Sequence, residues 1–199
     1  MSPMDIGCAV IPAAGLGTRL RPATLWIPKE MFPVLDTPAI AYALEEALAA
    51  GVERLVVVIH PRKALLRDFL EAWARERAPG ERRVHVQWVV QEEPLGLGDA
   101  VRRAKEAVLG EAFYVLLPDE LFLAALTSRI FDALADVKPG AKGEIQLTDA
   151  LRLLLPTGVY ARHVAGERFD IGNAAGWARA AQALARIRRL KAPADFTRA

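Results

Sequence analysis

The chain has few of the residues that cross-link small proteins or bind transition metals. Its 199 residues include one cysteine and three histidines. Cys8 cannot form an internal disulfide, and in an apolar stretch we expect it to be a small core residue. The histidines His60, His85 and His163 have no nucleophile near them in sequence, and no cysteine and histidine cluster has zinc spacing. A disulfide scaffold and a structural zinc domain are therefore excluded.

The chain also lacks a long hydrophobic run and a strong charge of one sign. The run 55–59 is far too short to cross a bilayer, and Asp5 lies where a signal peptide would be basic. The net charge is only +2, which gives no general field for nucleic acid or membrane. We expect a cytoplasmic protein with neither partner. Five basic residues crowd the last predicted helix, a pattern typical of a solvated face: Arg179, Arg186, Arg188, Arg189 and Lys191.

Strand-like and helix-like segments alternate over the first 120 residues. Strands are predicted at 8–11, 55–59, 84–90 and 112–117, and helices at 37–51, 64–77 and 98–108. Thr37 is expected to cap the first helix, with Pro38 at its first position. Repeated βα units predict an α/β fold with a Rossmann-like, mostly parallel three-layer sheet.

The pattern changes after residue 120. A short helix is predicted at 127–135, a helix from the segment 144–149 to about residue 155, a strand at 159–164 and a last helix at 175–190.

A glycine loop with several cations follows the first predicted strand. Gly15 and Gly17 remove side chains where a backbone must approach phosphate oxygens. Backbone N–H groups then supply donors, and three side chains supply positive charge, namely Arg19, Arg21 and Lys29. This pattern predicts a site for a nucleoside triphosphate.

Two commoner glycine loops fit the residues less well. A P-loop needs Gly-Lys-Ser/Thr at the start of a helix, and Gly17-Thr18-Arg19 does not supply it. A dinucleotide fingerprint needs a third glycine and an immediate helix, but four prolines delay the helix to about Thr37. Asp36 has roughly the spacing of a ribose-binding acid, yet it precedes Pro38 and is better explained as a turn residue.

Polar residues follow the predicted strands where a parallel sheet binds ligands. Gln91 and Gly96 follow the third strand, and Asp119 follows the fourth. Asp119 and Asp170 are our candidates for Mg²⁺, because this ion takes one or two carboxylates together with substrate phosphates. The alternatives are that Asp119 closes a turn and that Asp170 caps the last helix.

Six motifs in this order resemble those of bacterial UTP-glucose-1-phosphate uridylyltransferases. The resemblance extends from Ile6 to about Leu190. The motifs are Ala14-Gly15-Leu16-Gly17-Thr18-Arg19, Ile27-Pro28-Lys29-Glu30-Met31, Gln91 with Gly96-Leu97-Gly98, Leu117-Pro118-Asp119, Glu144-Ile145-Gln146-Leu147-Thr148-Asp149 and Asp170-Ile171-Gly172-Asn173.

The resemblance implies an enzyme that transfers a uridylyl group from UTP to glucose 1-phosphate and releases pyrophosphate. The sugar phosphate would attack the α-phosphorus in line, with Mg²⁺ as cofactor. The resemblance also implies a homo-oligomer. By matching positions, the nucleotide is bound by Ala14, Gly15, Gly17, Thr18, Gln91 and Gly96. Arg19 would hold the leaving phosphates and Lys29 would neutralise the α-phosphoryl group. Asp119 and Asp170 would hold Mg²⁺, and Glu144 and Asp149 would order the sugar-side loop.

The sequence departs from this family directly after Asp119. Members carry several dozen further residues there, including a Glu-Lys-Pro motif that binds sugar and phosphate. We therefore expect one nucleotidyltransferase domain, 1–199, with a nucleotide-binding half, 1–120, and the remainder of a sugar and metal half, 121–199. Asp99 stands where the family often has His. Either a segment is missing from this sequence or the protein itself is short, so a nucleotide-binding relative with little catalysis and a transferase for another sugar 1-phosphate stay open.

Overall fold

The computed structural model describes residues 6–76, 84–119, 122–161, 167 and 169–191. Its strands are β1 (Cys8–Ala13), β2 (Pro33–Val34), β3 (Thr37–Pro38), β4 (Arg54–Ile59), β5 (His85–Val90), β6 (Phe113–Leu117) and β7 (Phe122–Leu126). Its α-helices are α1 (Ala39–Ala49), α2 (Ala64–Arg75), α3 (Leu97–Arg103), α4 (Arg129–Asp136), α5 (Leu147–Leu154) and α6 (Ala174–Lys191). Among these described helices, none has the length and apolar character needed to cross a bilayer.

Five strands form the central sheet in the order β5-β4-β1-β6-β7. The pairs β5–β4, β4–β1 and β1–β6 are parallel, and only β7 runs antiparallel, beside β6. The predicted mostly parallel α/β fold is confirmed. The parallel strands all end at one edge of the sheet, and the glycine loop, Gln91 and Asp119 follow directly from those ends.

Alternating residues of each strand pack into two separate cores. Cys8 and Val10 of β1 face a core that contains residues of α3, α4 and α5. Ala9 and Ile11 face a second core that contains residues of α1 and α2. The sheet is thus the middle of three layers, as predicted, because buried parallel strands need apolar side chains on both faces. Cys8 is fully buried, as expected of a core residue.

Strand β7 was not predicted from the sequence. Phe122–Leu126 has neither β-branched residues nor polar alternation, so nothing local marks it as a strand. It forms because β6 offers an unpaired edge, and the register pairs Leu117 with Phe122 and Phe113 with Leu126. Only residues 118–121 connect the two strands, so a short hairpin occupies the place where the sequence departs from the resembling family.

Three local predictions were wrong. Thr37 does not cap α1, because it lies in β3 and its hydroxyl donates to Asp36 Oδ1 at 2.9 Å. Helix α3 ends at Arg103, and residues 104–110 form turns. Residues 159–161 are not a strand, and residues 162–164 of that prediction, with His163, lie outside the described part of the chain.

The start of α3 packs against the backbone of the segment before α5. The Gly98 N–H donates to the Ile145 oxygen at 2.8 Å, and Ile145 N–H donates to the Leu95 oxygen at 2.7 Å. A Cβ at Gly98 would lie 2.7 Å from the same Ile145 oxygen. Glycine is therefore required for two distant segments to approach this closely.

We predict that Gly98→Ala destabilises the protein by about 1–3 kcal/mol, because the new methyl group overlaps a backbone oxygen that cannot move freely. Urea denaturation monitored by circular dichroism measures the loss. Gly7→Ala is the matched control, since a Cβ at Gly7 meets no atom within 4 Å. Equal stability of the two variants would contradict the packing argument.

Candidate nucleotide and metal site

Four charged residues from separate segments meet beyond the carboxyl ends of β1 and β6. Lys29 Nζ donates to Asp119 Oδ2. Arg19 Nη1 donates to Asp170 Oδ2 at 2.9 Å, across 151 positions of sequence. The structure therefore brings together the two predicted catalytic cations and the two predicted metal-binding acids.

Gly172 shows how close these groups lie. A Cβ on this residue would lie 2.7 Å from Arg19 Nη2, 3.0 Å from Asp170 Oδ1 and 3.1 Å from Asp119 Oδ2. Both carboxylates and the guanidinium thus border the same small volume, which a side chain at position 172 would fill.

Asp170 is held in a fixed turn before α6. Its Oδ1 accepts from the Gly172 N–H at 2.9 Å and its Oδ2 accepts from Asn173 Nδ2 at 3.0 Å. Burial alone would raise the pKa of Asp170, but the hydrogen bonds from Gly172 and Arg19 hold it below its ordinary value. Asp170 is therefore a carboxylate at neutral pH.

The alternative that Asp170 caps the last helix is wrong. Asn173 performs this function, since its Oδ1 accepts from the Gly176 N–H at 2.9 Å. Helix α6 is fixed to the β2–β3 turn by Trp177 Nε1, which donates to the Pro33 oxygen at 2.9 Å, and by Arg188, whose Nη1 donates to both oxygens of Asp36. Asp36 is a turn residue, as predicted.

A buried ion pair lies beneath the glycine loop and was missed in the sequence. Glu30 is fully buried and Lys63 is 6% exposed. Lys63 Nζ donates to Glu30 Oε1 at 2.9 Å and Oε2 at 2.8 Å, and also to the backbone oxygens of Ala13 at 2.7 Å and Gly15 at 2.6 Å. One ammonium group therefore ties the end of β1, the glycine loop and the Pro-Lys-Glu turn together.

Two opposing effects act on the pKa of Lys63. Burial lowers the pKa of the Lys63 ammonium, and the Glu30 carboxylate opposes that effect by charge and by hydrogen bonding. Glu30 belongs to a motif that the sequence analysis singled out, but none of the motifs includes Lys63. Only the contact between them identifies both as structural supports of the site.

The predicted nucleotide-binding residues line the same edge. Gly17 has φ +63°, and its oxygen accepts from Thr24 Oγ1 at 2.8 Å. Ala14 is buried, and Thr18 begins a short 3-10 turn that contains Arg19. Gly96 has φ +97°, and a Cβ there would lie 2.8 Å from Glu144 Cβ. The loop after β5 is thereby packed against the segment that contains Glu144.

Glu144 and Asp149, predicted for the sugar-side loop, have different surroundings. Glu144 Oε2 accepts from Gln146 Nε2 at 3.1 Å beside the Gly96 loop. Asp149 lies on α5 and accepts from Arg152 Nη1 at 2.8 Å, one turn along the helix. Their sugar-side function stays a prediction.

Gln91 and Asp99 form a second buried polar group. Gln91 Nε2 donates to Asp99 Oδ2 at 2.7 Å and to the Gly96 oxygen at 3.4 Å. Asp99 also accepts from Arg102 Nη2 at 2.6 Å and from Arg103 Nε at 2.7 Å. Burial alone would raise the pKa of Asp99, but the hydrogen bonds from Arg103, Gln91 and Arg102 hold it below its ordinary value.

The chemistry of the two acids fits a hard divalent cation. Asp119 and Asp170 offer carboxylate oxygens only, and Mg²⁺ commonly takes one or two carboxylates with phosphates and water completing its shell. The described residues contain no group of three or more potential metal ligands.

A mostly apolar cavity of about 460 Å³ adjoins Asp119 on the side of α1 and α6. Phe169 and Ile171 line it, on either side of Asp170 in sequence. The hydroxyl of Tyr42, another lining residue, already donates to the Val34 oxygen at 3.0 Å. Apolar walls suit neither triphosphates nor sugar hydroxyls.

The fold and this charged cluster place the chain among the α/β proteins that bind ligands at the carboxyl ends of parallel strands. A family model described as nucleotidyl transferase matches residues 8–130, which is more than half of the chain. The chain belongs to this family and is a nucleotidyltransferase.

Known relatives narrow the class further. The chain is 30% identical to UTP-glucose-1-phosphate uridylyltransferase of Mycoplasma pneumoniae, with 86% of this chain and 90% of the relative covered. It superposes on a UDP-glucose pyrophosphorylase crystallised with UDP-glucose with TM-score 0.80 and 27% identity, covering 92% and 99% of the two chains. A UTP-bound UGPase from Acinetobacter baumannii gives TM-score 0.77 and 27% identity, covering 94% and 98%. These findings confirm the resemblance.

We predict that Lys63→Met destabilises the protein by about 3–5 kcal/mol, because it leaves the Glu30 carboxylate buried without its cation. Adding Glu30→Gln should restore part of this loss. The control is Glu71→Gln, which removes an exposed partner of Arg67 on the same helix and should change stability little. Urea denaturation of the four proteins tests this, and a double variant less stable than Lys63→Met would contradict it.

We predict that the stability lost in Asp99→Asn depends on pH. A carboxyl with a lowered folded-state pKa contributes its full stabilisation above the pKa of an unfolded Asp, about 3.9, and loses it as pH falls through the folded-state pKa. The difference in free energy of unfolding between wild type and Asp99→Asn should therefore be largest above about pH 5 and shrink below pH 3.9. Urea denaturation from pH 7 to pH 3 measures it, and a constant difference would count against the assignment.

Proposed function

We propose that this chain transfers a uridylyl group from UTP to glucose 1-phosphate, giving UDP-glucose and pyrophosphate. The observation that carries the proposal is the meeting of Lys29, Asp119, Arg19 and Asp170 around Gly172, beside the glycine loop. Triphosphate chemistry needs both cations for phosphate oxygens and carboxylates for a metal, and this cluster contains both.

The protein's part in the reaction is positioning and charge neutralisation. Backbone groups of Ala14, Gly15, Gly17 and Thr18 bind the nucleotide. Gln91 and Gly96 complete the recognition of its base. Lys29 faces the α-phosphoryl group and stabilises its charge as the sugar phosphate oxygen attacks. Arg19 holds the departing pyrophosphate. Bound phosphates compete for these two cations, and this releases the carboxylates that they neutralise in the structure described above.

Asp119 and Asp170 would hold Mg²⁺. When bound, this ion would neutralise charge on phosphate oxygens and fix their orientation. The support for this role is that both carboxylates border one small volume and that Asp170 is held ionised by its hydrogen bonds.

The domain organisation, location and assembly are also part of the proposal. One domain spans 1–199, in which 1–120 binds the nucleotide and 121–199 supplies the metal half. The substrates are UTP and a sugar 1-phosphate, and the protein is cytoplasmic and homo-oligomeric.

A second candidate is a nucleotide-binding relative with little catalysis. The β6–β7 hairpin favours it, because only residues 118–121 separate Leu117, the last paired residue of β6, from Phe122 of β7. The resembling family carries a sugar- and phosphate-binding Glu-Lys-Pro motif in this place, and the sequence passes from Asp119 to β7 without it. The same departure from the family favours the alternative that the acceptor is another sugar 1-phosphate.

Pyrophosphate release from purified protein tests the two candidates. The assay supplies UTP, glucose 1-phosphate and Mg²⁺, and omits each in turn. Release that requires all three supports the transferase. Binding of UTP without release supports the second candidate, and release with another sugar 1-phosphate alone would correct the acceptor.

We predict that Asp119→Asn lowers the rate of pyrophosphate release by about 10²- to 10⁴-fold, because a carboxylate beside the reacting phosphates is lost. Thermal melting should stay close to wild type, because Asp119 is at the cleft and not in either core. The control is Asp68→Asn, an exposed acid on α2, which should leave the rate unchanged. Undiminished turnover of Asp119→Asn would remove this residue from the site.

A further inference from the structure

The side-chain amide of Gln91 has an orientation that its neighbours dictate. Gln91 is only 3% exposed and lies directly after β5. Its terminal group contacts the Asp99 carboxylate at 2.7 Å and the Gly96 oxygen at 3.4 Å. Because an amide can be turned by half a rotation, the chemistry of these neighbours decides which of its two ends faces them.

Both neighbours can only accept hydrogen bonds. The Gly96 carbonyl has no proton to donate. Asp99 is fully buried and receives hydrogen bonds from Arg102 and Arg103, so it is a carboxylate and also has none. The NH₂ end of Gln91 must therefore face Asp99, because the opposite orientation would set three oxygens against one another.

In this orientation neither Asp99 nor Gly96 contacts the Gln91 carbonyl oxygen, Oε1. No residue in the described part of the chain donates a hydrogen bond to Oε1. A buried amide oxygen without a donor is unfavourable, since burying an unsatisfied acceptor costs free energy. The group therefore points to a ligand that brings a hydrogen-bond donor.

We propose that Asp99 is a positioning residue that selects the base of the nucleotide by fixing Gln91 Oε1 as an acceptor. Uracil presents a donor, its N3–H, to such an acceptor. Cytosine presents a bare N3 at the same position, and two acceptors then face each other. The inference rests on the proposed function, in which Gln91 contacts the base.

Asp99→Leu is the informative variant. Leucine removes the carboxylate that holds the NH₂ end of Gln91, and only the weaker contact with the Gly96 oxygen at 3.4 Å is left to orient the amide. Arg102 and Arg103 are 43% and 37% exposed, so both can turn to solvent when Asp99 is replaced. The Gln91 amide can then present either Oε1 or its NH₂ to the ligand. Because an NH₂ group suits cytosine N3, the preference for UTP over CTP should fall.

The experiment measures dissociation constants for UTP and CTP by calorimetry on the full chain. Wild type should prefer UTP, and Asp99→Leu should lower that preference by about tenfold, because the Gln91 orientation that suits uracil is no longer fixed. Asp99→Glu keeps a carboxylate and should keep the preference. Arg102→Gln is the matched control, because it removes a partner of Asp99 and leaves the bond to Gln91. It should change thermal stability but not base preference.

Gln91→Leu distinguishes failure of the proposed contact between Gln91 and the base from failure of the positioning role of Asp99. A wild type that binds neither nucleotide, or a preference that survives Gln91→Leu, overturns the proposed contact with the base and the inference with it. A preference that is lost in Gln91→Leu but kept in folded Asp99→Leu overturns the inference alone.

A measurement on wild type covers the case in which Asp99→Leu does not fold. The side-chain NH₂ of Gln91 should be protected from exchange in ¹⁵N spectra of the protein without ligand, because both Asp99 and Gly96 accept from it. Rapid exchange of those protons with solvent would overturn the inference.

Discussion

The buried ammonium group of Lys63 is the constraint on which the site depends. A cation out of water is tolerated only where acceptors surround it, and Lys63 finds four, from Glu30, Ala13 and Gly15. These acceptors belong to three segments that otherwise have few reasons to adopt one arrangement. Satisfying one charge therefore fixes the glycine loop against the end of β1 and sets the direction in which Lys29, next to Glu30, leaves its turn.

The functional cluster solves the opposite problem, since its charges must be available to a ligand. Without substrate, Lys29 and Arg19 pair with Asp119 and Asp170 and offset the repulsion between these two carboxylates. These pairs are partly exposed, and solvent screening weakens them relative to the Glu30 pair. Phosphates can therefore displace the carboxylates at modest cost, whereas the pair beneath the loop stays intact. The buried Glu30–Lys63 pair supports the glycine loop, whereas the Lys29–Asp119 and Arg19–Asp170 pairs are open to a ligand.

The sequence predicted those features that leave a local signal. The apolar runs of β1 and β4 gave the parallel sheet, and the rule that ligands bind beyond strand ends linked Asp119 to the glycine loop. Strand β7 has no such signal, because its stability comes from an edge of β6 far outside any local pattern. Lys63 was missed because the groups that allow its burial are distant in sequence. Asp99 was noted only as a departure from the family, since its contact with Gln91 is visible only in the structure.

The β6–β7 hairpin leaves both cores of the fold closed. The cores pack against the parallel strands, and α4 and α5 cover the face that contains Val10 and Val115. The departure from the resembling family is therefore confined to the edge that follows Asp119. In the proposed function, the nucleotide lies against the glycine loop and the start of α3, which Lys63 and Asp99 support, whereas the acceptor binds at the edge after Asp119. Nucleotide affinity and transfer rate should then be separable, since they depend on different parts of the chain.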